Sequence, residues 1–148
     1  MTHALGTRAC FVALLLAVLL GACAPAGTTT FAPSATPRAT APAAMSLEVS
    51  VADAVALRDQ GALMLDVREP DEFAAGHISG ATLIPLGQLA GRLGEVPRDR
   101  VVVVVCRTGH RAAQGRDILL GAGYSAVTSM TGGMTEWLAA GQPIVTGS

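Results

Sequence analysis

The sequence contains no lysine, so the ten basic side chains of the chain are all arginines. Any anion that this protein binds through a fixed side-chain charge is therefore bound by a guanidinium, whose planar set of donors matches oxyanions. The formal net charge at pH 7 is only −1, which leaves no excess of basic residues for binding a phosphate backbone. We therefore expect no nucleic-acid partner.

Cysteine is also scarce, and two of the three cysteines, Cys10 and Cys23, lie in an N-terminal segment that has the features of an export signal. Arg8 and no acidic residue precede an apolar run at residues 10–20, which is long enough for the core of a signal peptide and short for a bilayer span. The run leads into the sequence LGAC, which resembles a bacterial lipobox. The resemblance implies a lipoprotein signal peptide at residues 1–22, cleavage before Cys23 and lipid on the Cys23 thiol.

Lipid on Cys23 would anchor an exported protein to a membrane, on its periplasmic or extracellular face. An ordinary signal peptide that is cut nearby, or an uncleaved anchor, is the alternative. Residues 23–46 hold four of the eight prolines, among threonine, serine and alanine. Such a composition buries too little apolar surface to offset the entropy of ordering. It predicts an extended tether of up to ~70 Å at ~3.1 Å per residue, with a packed N-terminal arm as the alternative.

Residues 47–148 form one predicted domain, in which short apolar runs alternate with segments of helical pattern. Strands are predicted at residues 62–67, 81–85, 101–105 and 125–130. Helices are predicted at residues 50–61, 70–76, 86–93, 110–123 and 135–141. The run at 101–105 is five valines without polar alternation, which indicates a strand buried on both faces. The alternation predicts an α/β fold with a central parallel sheet and helices on both faces.

Cys106 is the only cysteine of the predicted domain and directly follows the valine strand. Sites in parallel sheets form at the carboxyl ends of strands, and a helix is predicted to begin a few residues later. The loop residues that follow Cys106 are Arg107, Thr108, Gly109, His110 and Arg111. Their backbone N–H groups can converge on one anion, the Cys106 sulfur, and the helix start adds its partial positive charge. Gly109 lets the loop curl back. These features are typical of a nucleophilic thiolate.

Three motifs, in order, resemble those of single-domain rhodaneses: LDVREPDEFAAGHISGA, CRTGHRA and GGMTEWLAAGQPIV. The similarity extends over residues 47–145. It implies the rhodanese fold and sulfur transfer of the thiosulfate sulfurtransferase type. Cys106 would take a sulfane sulfur from a donor, become a persulfide, and pass the sulfur to a thiophilic acceptor such as a thiol or cyanide. Thiosulfate, polysulfide and persulfide donors remain open at this point.

The resemblance also suggests roles for charged residues around Cys106. Asp66 and Arg68 are expected to lie beside the active loop and hold it by hydrogen bonds or ion pairs, unless they are structural charges remote from the sulfur. Arg107 is expected to face solvent and meet an anionic donor. Arg111 either contacts substrate or braces the loop against an acid. His110 either tunes the persulfide or merely fills the loop.

Other prominent residues have structural interpretations. His77 and Trp137 are expected to be structural, and Gly132 and Gly133 to form a tight turn near the loop. The predicted domain has two histidines and one cysteine without the spacing of metal ligands. We therefore expect no metal and no cofactor, and the sequence names no protein partner.

Three other functions compete with sulfur transfer. A phosphatase or arsenate reductase of the same fold would carry five residues between the cysteine and the arginine, whereas four separate Cys106 from Arg111. A non-catalytic rhodanese module for docking or sulfur carriage would usually lack the cysteine. A thiol redox protein would need a second cysteine to resolve a disulfide, and the predicted domain has none.

Overall fold

Five parallel strands form the centre of the structure, a computed structural model that describes residues 45–147. The predicted signal peptide, Cys23 and all but the last two residues of the predicted tether lie outside the described residues. The strands are β1 Glu48–Val49, β2 Leu63–Asp66, β3 Thr82–Leu83, β4 Val102–Val105 and β5 Val127–Met130. The helices are α1 Val51–Asp59, α2 Pro70–Ala75, α3 Leu86–Leu89, α4 His110–Gly121 and α5 Gly133–Ala139, with a 3-10 helix at Leu93–Glu95.

The valine strand β4 lies at the middle of the sheet, whose order is β1-β5-β4-β2-β3. Its four residues are at most 1% exposed, so the predicted burial on both faces is confirmed. Val102 and Val104 pack with α3 and α4 on one face, through Leu89 and Leu119. The alternate residues of β4 pack on the other face with residues of α1 and α5, such as Ala54 and Trp137. The predicted parallel sheet with helices on both faces is therefore confirmed.

Several element boundaries follow the sequence signals. Ser50 is the N-cap of α1, and its hydroxyl accepts a hydrogen bond from the Asp53 N–H at 3.2 Å. Helix α4 begins at His110 as predicted.

Other boundaries differ from the prediction. Strand β3 has two residues rather than five, because Pro85 has no N–H to continue a ladder. Helix α3 ends at Leu89 rather than at residue 93, because Gly87 and Gly91 lower the helix propensity of this segment. Helix α5 begins two residues before the predicted start. Strand β1, only two residues long, was not predicted.

The strand order reverses direction beside β4. The chain leaves β2 toward β3 at one edge of the sheet, whereas it leaves β4 toward β5 in the opposite direction. The carboxyl ends of β2 and β4 therefore flank the point where the strand order reverses, which is where ligands bind in open α/β sheets. Asp66 is the last residue of β2, and Cys106 follows the last residue of β4. No helix within residues 45–147 is long and apolar enough to cross a membrane.

Candidate active site

The Cys106 thiol lies under the turn that joins β4 to α4. The residue is 1% exposed, and its Sγ accepts a hydrogen bond from the Gly109 N–H at 3.1 Å. Gly109 has φ +101°, the left-handed region that glycine adopts without strain. This conformation turns the chain back over the sulfur and directs the amide at it. Of the loop amides expected to meet the sulfur, the Gly109 N–H is the one that makes a hydrogen bond to it within residues 45–147.

Helix α5 holds the same loop from the other side. The Met134 N–H donates to the Cys106 carbonyl at 2.8 Å, and the Thr135 N–H donates to the Arg107 carbonyl at 3.0 Å. The Thr135 hydroxyl also donates to the Arg107 carbonyl, at 3.0 Å. Because a trans peptide directs its C=O and N–H in opposite directions, fixing these carbonyls toward α5 leaves the following N–H groups free to face away from it. No pattern in the sequence predicts that Thr135 takes part in this contact.

Two consecutive glycines form the turn that leads into α5. Gly132 and Gly133 have φ +70° and +55°. A Cβ on Gly133 would overlap the Cys106 carbonyl oxygen and the Arg107 carbonyl group. These two residues therefore form the tight turn near the loop that the sequence predicts.

Arg111 connects the start of α4 to α2. Its two terminal nitrogens donate to the two carboxylate oxygens of Glu72, each at 2.8 Å. These hydrogen bonds from Arg111 lower the pKa of Glu72 to about 2, and the same contact raises the pKa of Arg111. Of the two roles expected for Arg111, the structure contains the contact with an acid that braces the loop.

Asp66 and Arg68 form a buried ion pair, with Arg68 Nη2 at 2.7 Å from Asp66 Oδ2. Arg68 also donates to the carbonyls of Glu72 at 3.1 Å and Gly76 at 2.9 Å. The pair therefore holds α2, and within residues 45–147 it is linked to the cysteine loop through Glu72, which binds Arg111. The direct hydrogen bonds to the loop that we expected are absent from the described residues, because the Arg68 side chain folds back along its own segment.

The exposed loop residues point into two different hollows. Arg107 lines a hollow of about 330 Å³ between α2 and α5, which we call the α2–α5 hollow. Its lining residues are Arg68, Glu72, Arg107, Met134, Thr135 and Leu138. Thr108 and His110 instead line a hollow of about 200 Å³ at the end of β5, beside Glu48 and Thr131. The structure thus separates His110 from Arg107, and Cys106 itself lines neither hollow.

Residues 50–140 match the family described as Rhodanese-like domain. The chain belongs to the rhodanese family. A sulfurtransferase of Allochromatium vinosum is 40% identical over 83 residues, covering 56% of this chain and 78% of that protein. The thiosulfate sulfurtransferase GlpE of Pseudomonas entomophila is 37% identical over 89 residues, covering 60% of this chain and 82% of that protein.

Solved structures agree with this assignment. A rhodanese-related protein from Thermoplasma volcanium superposes with a TM-score of 0.63 at 29% identity, covering 68% of this chain and 98% of that one. The chain therefore carries a rhodanese domain whose relatives include sulfurtransferases.

His77 and Trp137, which are expected from the sequence to be structural, are both buried in this rhodanese domain. Trp137 is fully buried in the core, and its indole N–H donates to the Pro143 carbonyl at 3.1 Å. His77 is buried, stacks on the Phe73 ring at 3.6 Å and contacts the Phe73 carbonyl through Nδ1. Within residues 45–147, no three His, Cys, Asp or Glu side chains are grouped as metal ligands.

Proposed function

We propose that this rhodanese domain is a sulfurtransferase that carries a sulfane sulfur on Cys106. The observation that carries the proposal is the position of Sγ, at the carboxyl end of the central strand and under the Gly109 amide at 3.1 Å. The residues that follow Cys106 in the loop include two arginines and no acid, which are surroundings typical of a nucleophilic cysteine.

The proposed reaction has two displacements at sulfur. In the first, the Cys106 thiolate attacks the terminal sulfur of a donor such as thiosulfate. The Sγ–S bond forms, the S–S bond of the donor breaks, and sulfite leaves with the electron pair. In the second, a nucleophile such as cyanide or a thiolate attacks the outer sulfur of the persulfide and returns Cys106 as thiolate. Each step produces an anion, which backbone N–H donors and Arg107 can stabilise.

Phosphatase or arsenate reductase activity fits this loop less well. The thiol is 1% exposed, so a substrate must bring its reacting atom down into the loop. A sulfane sulfur is a single terminal atom, whereas phosphorus is surrounded by oxygens. The loop of four residues between Cys106 and Arg111 supports transfer of the smaller group.

The test is intact mass spectrometry of the purified protein after incubation with thiosulfate and then with cyanide. We expect a gain of one sulfur followed by its loss, and no gain in a Cys106→Ser variant that melts like the wild type. A wild-type protein that takes up no sulfur from thiosulfate or from an organic persulfide would identify a non-catalytic rhodanese module. A gain that persists in Cys106→Ser would refute the role of this cysteine.

We further propose that the protein is exported and held at a membrane by lipid on Cys23, with residues 23–46 as the tether. The support is the LGAC sequence after the apolar run. The sulfur transfer would then take place outside the cytoplasm, within reach of the tether.

A further inference from the structure

Helix α5 begins without a side-chain cap, because its N-cap residue is Gly132. The first N–H groups of a helix have no partner inside the helix, and a side-chain oxygen at the N-cap usually accepts from one of them. In α5 the Met134 N–H donates instead to the Cys106 carbonyl, at 2.8 Å. The Thr135 N–H donates to the Arg107 carbonyl, at 3.0 Å. The loop that carries the nucleophile therefore takes the place of the cap, and the start of α5 determines where two of its carbonyls point.

Thr135 binds the Arg107 carbonyl twice. Its hydroxyl donates to the same oxygen as its N–H, also at 3.0 Å. Thr135 is exposed, so water could satisfy this hydroxyl, and burial does not require the bond. A carbonyl oxygen has two lone pairs and can accept both hydrogen bonds. Two donors fix the direction of the carbonyl more narrowly than one donor does, and with it the orientation of the planar peptide that joins Arg107 to Thr108.

The peptide that Thr135 fixes has its N–H on the side opposite to α5. Because the peptide is trans, the Thr108 N–H points away from the Arg107 carbonyl and from the helix that holds it. This N–H makes no hydrogen bond within residues 45–147, whereas the next N–H of the loop, that of Gly109, donates to the Cys106 Sγ at 3.1 Å. Successive backbone N–H groups in such a turn can converge on one anion. The Thr108 N–H is thus a spare donor next to the one that already binds the sulfur.

We propose that Thr135 is a positioning residue for sulfur transfer, whose hydroxyl orients the Thr108 N–H so that it donates to the outer sulfur of the Cys106 persulfide. The proposal rests on the sulfur transfer proposed above. In the loading step the Cys106 thiolate attacks the sulfane sulfur of thiosulfate, the Sγ–S bond forms, the S–S bond of thiosulfate breaks, and sulfite leaves with the electron pair. The product is a persulfide anion whose charge lies on the outer sulfur. The free thiolate has no outer sulfur, so the Thr108 N–H stabilises the product more than the reactant and raises the equilibrium constant for loading.

The test measures the equilibrium constant for loading on the full chain. The purified protein is incubated with thiosulfate and sulfite in a series of ratios, and intact mass spectrometry gives the fraction that carries one added sulfur, with Cys106→Ser as the background. Thr135→Val keeps the branched shape of the side chain and removes the hydroxyl. We expect it to lower the equilibrium constant about fivefold, the effect of one neutral hydrogen bond. Thr135→Ser should restore the wild-type constant, because serine returns the hydroxyl.

The matched control is Thr82→Val, since Thr82 lies in the edge strand β3, outside the loop and α5, and its constant should equal that of the wild type. A Thr135→Val variant that melts at a lower temperature but keeps the wild-type constant has lost only a structural contact, which overturns the role of Thr135 and leaves sulfur transfer standing. A constant that Thr135→Ser fails to restore also overturns that role. A wild-type protein that gains no sulfur at any ratio overturns this inference, and one that also gains none from an organic persulfide overturns the proposed function with it.

Discussion

The two carboxylate oxygens of Glu72 accept hydrogen bonds from the two terminal nitrogens of Arg111, each at 2.8 Å, although the two residues are 39 positions apart. This contact joins α2 to the first turn of α4 beside Cys106. Arg68, which is paired with Asp66, holds α2 by donating to the Glu72 carbonyl. The chain thus supports its loop through two consecutive ion pairs. The inner pair is buried, whereas about a third of each partner in the outer pair is exposed.

The outer pair should make stability depend on acid. The pKa of Glu72 is lowered to about 2, so its contribution is complete above the unfolded pKa of about 4.5 and is lost as the pH falls toward 2. Glu72→Gln should therefore reduce the free energy of unfolding at pH 7 by about 1–2 kcal/mol, and the difference from the wild type should shrink below pH 4.5. Denaturant unfolding at pH 7 and pH 3 measures both effects.

The matched control is Glu95→Gln. Arg92 also donates two hydrogen bonds to the carboxylate of Glu95, from Nε and Nη2, but within one turn and at a more exposed position, where ion pairs contribute little. A loss for Glu95→Gln as large as that for Glu72→Gln would show that the link between α2 and α4 has no special weight.

Replacing Arg107 and replacing Arg111 should have different effects on stability and on the rate of sulfur uptake. Arg107→Ala should leave the melting temperature near that of the wild type, because no described residue pairs with its side chain. It should slow sulfur uptake from thiosulfate about tenfold through the loss of a charge-assisted contact. Arg111→Ala leaves the Glu72 carboxylate unpaired beside the loop, so it should lower the melting temperature and slow sulfur uptake from every donor. Melting curves and persulfidation rates with thiosulfate and with a persulfide that lacks a carboxylate test this division, and identical profiles for the two variants would disprove it.

The sequence allowed the sheet and the cysteine loop to be predicted because both depend on local patterns. Five valines without polar alternation indicate a buried central strand, and CRTGHR indicates a tight loop before a helix. The partner of Arg111 could not be derived from such patterns, since several acids lie in the segment that contains Glu72 and only tertiary packing selects one. The contact of Thr135 with the Arg107 carbonyl was missed for the same reason. It depends on how closely α5 approaches, and no local pattern encodes that distance.

Lipid attachment at Cys23 is a prediction from the sequence alone. In a bacterial host that processes lipoproteins, the full-length chain should incorporate labelled palmitate and sediment with membranes. Cys23→Ser should abolish the labelling, whereas Cys10→Ser should retain it, because Cys10 lies within the apolar run that would be removed. Unlabelled wild-type protein in the soluble exported fraction would contradict the prediction.

Gly133 should be the glycine at which an added methyl group harms the site most. Gly133→Ala places a Cβ against the Cys106 carbonyl oxygen at a backbone φ of +55°, so α5 or the loop must move. We expect a loss of about 3 kcal/mol or more in stability and slower sulfur uptake by the fraction that remains folded. Gly141→Ala separates strain from overlap, because Gly141 has φ +67° and a Cβ there meets open space. That variant should lose on the order of 1 kcal/mol and react at the wild-type rate. Denaturant unfolding measures both losses of stability. Equal losses in the two variants would mean that backbone strain alone destabilises Gly133→Ala, and that the close approach of α5 to Cys106 adds nothing to the loss.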